Sequence, residues 1–165
     1  MIFWILATSY WIHLLTTVIW LGGMSLLALV AWPALRRGEL ADNQWLLLQQ
    51  RFTPLANASL VLLLVTGFVQ MTNDSNYNGF LIIDSLWSGA LLIKHIAFIG
   101  MVLVGAYVQF SLHPALARTA LLAESKPHLA EEEQRALAAR EILLLRWNLG
   151  LALVVLLCTA LATAV

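Results

Sequence analysis

ILATSYWIHLLTTVIWLGGMSLLALVAWPA, residues 5–34, decides the fold. The run holds no Asp, Glu, Lys or Arg, and it exceeds the roughly 20 apolar residues that cross a bilayer core. Three more apolar runs follow, at about 55–71, 89–112 and 142–164. The 165-residue chain is 61% hydrophobic and 11% charged, with a mean hydropathy of +0.85. A soluble domain is about half apolar and about a quarter charged. The sequence therefore predicts an all-α integral membrane four-helix bundle, one transmembrane domain over residues 1–165 with spans at about 5–34, 55–71, 89–112 and 142–164. The alternating pattern of a membrane β-barrel is absent. The first run has neither a basic leader nor a small-residue cleavage site, so it reads as a retained helix.

Nine Lys+Arg and nine Asp+Glu give zero formal net charge, which argues against nucleic acid as a partner. Arg36, Arg37 and Arg51 flank the first connection, and Arg118, Lys126, Arg135 and Arg140 lie in the third. The second connection, 72–88, carries Asp74 and Asp84 but no Lys or Arg. The positive-inside rule places the first and third connections in the cytoplasm. Both termini then lie on the outer, periplasmic side of a bacterial inner membrane. Trp4, Tyr10, Trp11, Tyr77 and Trp87 are expected at the outer interface, and Trp32, Trp45 and Trp147 at the inner one. Residues 131–141 read as a polar helix with a solvated face and a Glu131–Arg135 pair at i,i+4. Ser125 is its expected cap, and Pro127 belongs to its first turn.

The first and third spans resemble each other. Trp32-Pro33-Ala34-Leu35-Arg36-Arg37 closes one, and His113-Pro114-Ala115-Leu116-Ala117-Arg118 closes the other. Aligning the two prolines places His13 on Lys94. The second and fourth spans open alike, with Arg51-Phe52 and Arg146-Trp147, and later share Val61–Gly67 and Val154–Ala160. This predicts a tandem repeat of two helix pairs. Pro33 and Pro114 are expected to end or kink their helices.

His13, Lys94 and His95 carry the functional expectation, because ionisable groups inside apolar spans are costly and mark sites by default. His13 lies 20 residues before Pro33, and Lys94 and His95 lie 20 and 19 before Pro114. All three therefore share a level about 30 Å along the helix from its inner end. Imidazole suits haem iron and copper, which makes His13 and His95 the metal-ligand candidates. A neutral Lys94 amine is the rival to His95. The two neighbours point about 100° apart on a helix, and spacing leaves that choice open. The structural alternative is that His13 bonds a carbonyl or a Ser/Thr such as Thr16 or Thr17 while Lys94 snorkels outward. Met24, Met71 and Met101 do not form the close sulfur cluster that Cu(I) prefers. Cys158, the only cysteine, reads as a packing residue. His113 reads as interfacial and without an intramembrane partner, and His128 as solvated. The motifs of hydrolysis and nucleotide chemistry are absent, and no enzymatic activity is assigned.

His13-Leu-Leu-Thr-Thr-Val-Ile-Trp20-Leu-Gly22-Gly23 resembles helix one of the CopD-like membrane proteins, which are associated with copper resistance and uptake. It is also similar to the HemJ group, linked to protoporphyrinogen oxidation, where a His in helix one and a Lys in helix three are the haem-associated residues. Arg51-Phe52 with Thr66-Gly67 looks like CopD, and Lys94 with Gly105-Ala106-Tyr107 fits both groups. The reading put first is a b-type haem protein transferring electrons near the outer face, to or from a quinone or a larger membrane complex. His13 is then one axial ligand, with His95 or Lys94 the other. The alternatives are copper handling of the CopD type through the same residues, and a non-catalytic accessory subunit of a larger complex. All three readings place the chain in a lipid bilayer.

Overall fold

A computed structural model describes residues 2–77, 79, 82–83, 85–122 and 127–164, with side chains at 42, 120–122, 127 and 129 excepted. The elements are α1 (Ile2–Ser25), a π-helical turn (Leu26–Ala31), α2 (Trp32–Arg36), α3 (Asp42–Thr72), α4 (Leu86–Tyr107), a second π-helical turn (Val108–Leu112), α5 (His113–Leu122) and α6 (Pro127–Ala164). Among the described residues there is no strand. Four continuous helical stretches are long and apolar enough to span a membrane: Ile2–Arg36, Asn43–Thr72, Leu86–Thr119 and Ala130–Ala164. The all-α membrane architecture read from the sequence is thus what forms. Each rod overruns its expected span, because polar turns such as Gln49-Gln50-Arg51 stay helical beyond the apolar run.

The chain divides into two compact units, Met1–Leu92 with Leu161–Val165, and Ile93–Ala160. In the first, α1 and α3 run antiparallel as a hairpin. Its turn follows from one glycine. Gly38 takes φ +74°, a conformation that costs a residue without Cβ little. The Gly38 N–H then donates to the Leu35 carbonyl and the Glu39 N–H to the Ala34 carbonyl, the double bond pattern that closes a helix C-terminus. Three residues on, the Gln44 side chain accepts from the Ala41 N–H and helps start α3.

Along the hairpin, Gly23 receives the Phe52 ring so closely that a Cβ there would overlap it. Small residues of this kind let membrane helices approach. At the turn end, the Trp32 and Trp45 rings meet at a tilt of 58° with centroids 5.8 Å apart. In the second unit, Gly100 faces Leu151 of α6, and His113 of α5 faces Glu141 of α6. This is again an antiparallel pairing. On the polar start of α6, Glu131 and Arg135 lie 3.6 Å apart with both side chains exposed, as a solvated face requires.

Three expectations are corrected or narrowed. Of the two outcomes expected at Pro33 and Pro114, an end or a kink, the end does not occur. Each proline lacks an N–H, and its ring would strike the carbonyl four residues back. The preceding turn widens instead, so that the Trp32 N–H reaches Leu27 O and the His113 N–H reaches Val108 O, and the rod continues. Second, Trp45 and Trp87 are buried rather than facing the interface, whereas Trp4, Trp11 and Trp147 are exposed as expected. Third, His113 has a partner, Glu141. The expected cap Ser125 and Asp84 lie outside the described residues.

Four buried positions of the first rod and four of the third coincide in the register that aligns their prolines. Ser9, Thr16, Trp20 and Ala31 are buried, and so are Ala90, Ala97, Met101 and Leu112, each 81 positions later. The widened turns fall in the same register. The likeness read from the sequence therefore extends to which face each rod turns inward.

Candidate functional site

His13 lies on the inward stripe of α1, between buried Ser9 and buried Thr16. Its Nδ1 is 2.7 Å from Thr66 Oγ1 of α3. The direction of that bond follows from the threonine. Thr66 Oγ1 is 2.6 Å from the Leu62 carbonyl, an acceptor only, so the one hydroxyl proton is spent there. His13 must then donate through Nδ1–H, and its Nε2 carries the ring's lone pair. Thr66 itself is buried. The ring edge at Cε1 passes over Gly67, close enough that a Cβ there would touch it at 3.7 Å.

Two further bonds tie the same end of the hairpin. Ser9 Oγ donates to the Thr66 carbonyl at 3.3 Å, and Gln70 Nε2 donates to the Ser9 carbonyl at 3.4 Å. The first hairpin is therefore polar at its open end and apolar at its turn end, where Phe52 and the tryptophan pair sit. The imidazole does bond a threonine, as the structural alternative expects, but the partner is Thr66 of α3 rather than Thr16 or Thr17. Their hydroxyls bond back to the His13 carbonyl at 3.1 and 2.7 Å.

Lys94 and His95 belong to the second unit. On α4 the buried residues Trp87, Ala90, Ala97 and Met101 recur at helical spacing. Lys94 falls within that stripe, four residues after Ala90 and three before Ala97, and is half-buried. Buried Cys158 of α6 lies within electrostatic reach of it. His95 is also half-buried, one position off the stripe. Lys94 thus occupies on α4 the place that His13 occupies on α1. His128 is exposed, as expected. Among the described residues, no three His, Cys, Asp or Glu side chains converge as a metal-holding group.

What the sequence reading missed is at the turn end of the second hairpin. His113 Nε2 and Glu141 Oε1 are 3.4 Å apart, and the Glu141 side chain is only 6% exposed. The signal was present, a histidine before a helix-breaking proline and a carboxylate one residue before an apolar run. Only the pairing of α5 with α6 joins them.

Over residues 46–162, more than two thirds of its length, the chain matches the family described as CopD, copper resistance protein D. The matched stretch includes Thr66, Lys94, His95, His113 and Glu141, while His13 precedes it. No curated protein and no solved structure matched the chain.

Proposed function

The chain belongs to the copper resistance protein D (CopD) family, and from that premise we propose that it handles copper within the membrane, taking the ion as cargo at His13. The observation that carries this reading is the hydrogen bond from His13 Nδ1–H to Thr66 Oγ1. A ligating histidine typically donates its other ring N–H to a fixed acceptor, which sets the tautomer and aims the lone pair. Thr66 does this for Nε2, and imidazole nitrogen is a suitable copper donor.

Lys94, in the repeat-equivalent place on α4, is the second residue of the reading, and His95 beside it is the third. Lys94 binds metal only as the neutral amine, since a ligand must be deprotonated. With both termini outward, His13 and Lys94 stand at the outer level of their hairpins, where an ion arriving from the periplasm meets them first. The family match points to copper and gives no support to haem b, to electron transfer, or to a quinone or larger-complex partner.

Copper titration of the purified full-length protein, with a competing chelator under reducing conditions, tests the reading. The wild type is expected to take up one copper ion that His13→Ala fails to hold, with His128→Ala unaffected. Absence of copper uptake by the wild type, or unchanged uptake by His13→Ala, overturns it. A Soret band in the purified protein that vanishes in His13→Ala would replace copper by haem.

A further inference from the structure

We propose that Arg140 and Arg146 of α6, with Leu143 and Trp147, form a docking surface for the headgroup of one anionic phospholipid. All four residues are exposed, Leu143 at 55% and Trp147 at 63%. Positions 140, 143 and 147 follow at i, i+3 and i+7, so they share one outward face of the helix. Arg146 borders that face on the other side of Leu143, again three residues on.

The chain pairs an arginine where a carboxylate is within reach. Arg37 lies 3.1 Å from Glu39, and Arg135 lies 3.6 Å from Glu131. The positions three and four removed from Arg140 and from Arg146 hold only Ala, Leu, Ile and Gly. Glu141 adjoins Arg140 in sequence, but its side chain is buried against His113. Among the described residues neither arginine has an ion-pair partner. A guanidinium presents paired donors that match a phosphate, and phosphate is the anion that a bilayer supplies at this level.

Helix geometry brings the two cations toward one depth. Arg140 is the last cation before the apolar run, and Arg146 lies six residues, about 9 Å, further in. Side chains on a helix lean toward its N-terminus, which on α6 is the polar end. Arg146 therefore reaches back toward the level of Arg140 rather than into the hydrocarbon. Leu143 offers the acyl chain an apolar wall, and the Trp147 indole suits the boundary between chain and headgroup. In the orientation read from the charges, the lipid belongs to the cytoplasmic leaflet. The first hairpin lacks this surface. In the register that aligns Arg51 with Arg146, Arg140 is replaced by buried Trp45, and Trp147 by Phe52, which packs on Gly23. The surface does not depend on the copper reading, and it stands if that reading falls.

Native mass spectrometry of the full-length protein in detergent, offered phosphatidylglycerol and phosphatidylcholine with the same acyl chains, tests the proposal. One phosphatidylglycerol is expected to be retained in preference. Arg140→Gln/Arg146→Gln is expected to reduce that preference roughly tenfold or more, from the usual contribution of two cations at a headgroup. The control Arg51→Gln/Arg135→Gln removes the same charge and is expected to keep the preference. In the wild type, excess inorganic phosphate is expected not to displace the lipid, a measurement that needs no variant to fold. Equal retention of the two lipids overturns the proposal, as does an unchanged preference in Arg140→Gln/Arg146→Gln. An equal loss in the control would reduce the effect to net charge, and displacement by inorganic phosphate would make the site one for a soluble anion; either result also overturns it.

Discussion

Thr66 decides which nitrogen His13 presents. Its hydroxyl proton goes to the Leu62 carbonyl, so its oxygen faces the imidazole as an acceptor. Thr66→Val keeps the shape and removes the acceptor, and copper affinity is expected to fall about 10–100-fold, the usual cost of losing an outer-shell partner. Thr66→Ser should retain most of the affinity, and competitive copper titration distinguishes the two. The same logic has a metal-free readout. Nitrogen-15 NMR of the labelled apoprotein should find His13 protonated at Nδ1 in the wild type and should lose that preference in Thr66→Val. An Nε2-protonated wild type would contradict the assignment. His13 was legible in the sequence because an ionisable residue in an apolar run stands out. Its partner was not, because Thr66 is 53 positions away, and threonine is an ordinary residue in membrane helices. Glu141 was hidden for a different reason. It ends a polar run, and composition alone does not tell where along a helix burial begins.

Helix pairing in the first hairpin turns on a glycine that composition would rank with its neighbour. Gly22 and Gly23 are adjacent, yet a Cβ at Gly22 meets nothing within 4 Å while one at Gly23 would overlap Phe52. Gly23→Val is therefore expected to destabilise the hairpin by about 1–3 kcal/mol through overpacking, with Gly22→Ala close to neutral. Unfolding midpoints in a mixed detergent titration read the difference, and equal midpoints would mean that the Phe52 contact does not control the pairing. Gly100 is intermediate. Its Cβ would stand 3.2 Å from the Leu151 Cδ1 tip, which can swing aside, so Gly100→Ala should cost less than about 1 kcal/mol in the same titration. Small residues let membrane helices approach, but sequence alone does not tell which face each of these glycines uses. The prolines carry a related lesson. Pro33 and Pro114 were legible as breaks, but a break inside a membrane must still satisfy its backbone, and local π adjustment does so without ending the rod. The break therefore became a widened turn at matched positions in both rods.

Across the whole molecule, the four spans were legible because lipid admits only segments whose backbone bonds close internally, and an unbroken apolar helix is the simplest of these. How the helices face one another was not, because lipid tails are as apolar as leucine and exert no hydrophobic sorting between faces. The coincidence of buried positions along the two proline-marked rods is the kind of order that only coordinates expose. Orientation in the membrane rests on charge alone, and it carries the claim that His13 meets copper at the outer side. Arg36, Arg37 and Arg51 surround the first turn, whereas 72–88 has no Lys or Arg, so the first turn is expected in the cytoplasm and 72–88 outside. Cys158 is the only cysteine and is buried, so a Cys158→Ala background leaves two informative exposed sites, Glu39 in the first turn and Ser75 in the second connection. Ser75→Cys is expected to react with a membrane-impermeant maleimide on intact cells, and Glu39→Cys only after the membrane is opened. The reverse pattern would turn the hairpins over. It would place His13 and Lys94 at the cytoplasmic level, so the proposed copper capture would face the cytoplasm while its chemistry stayed the same.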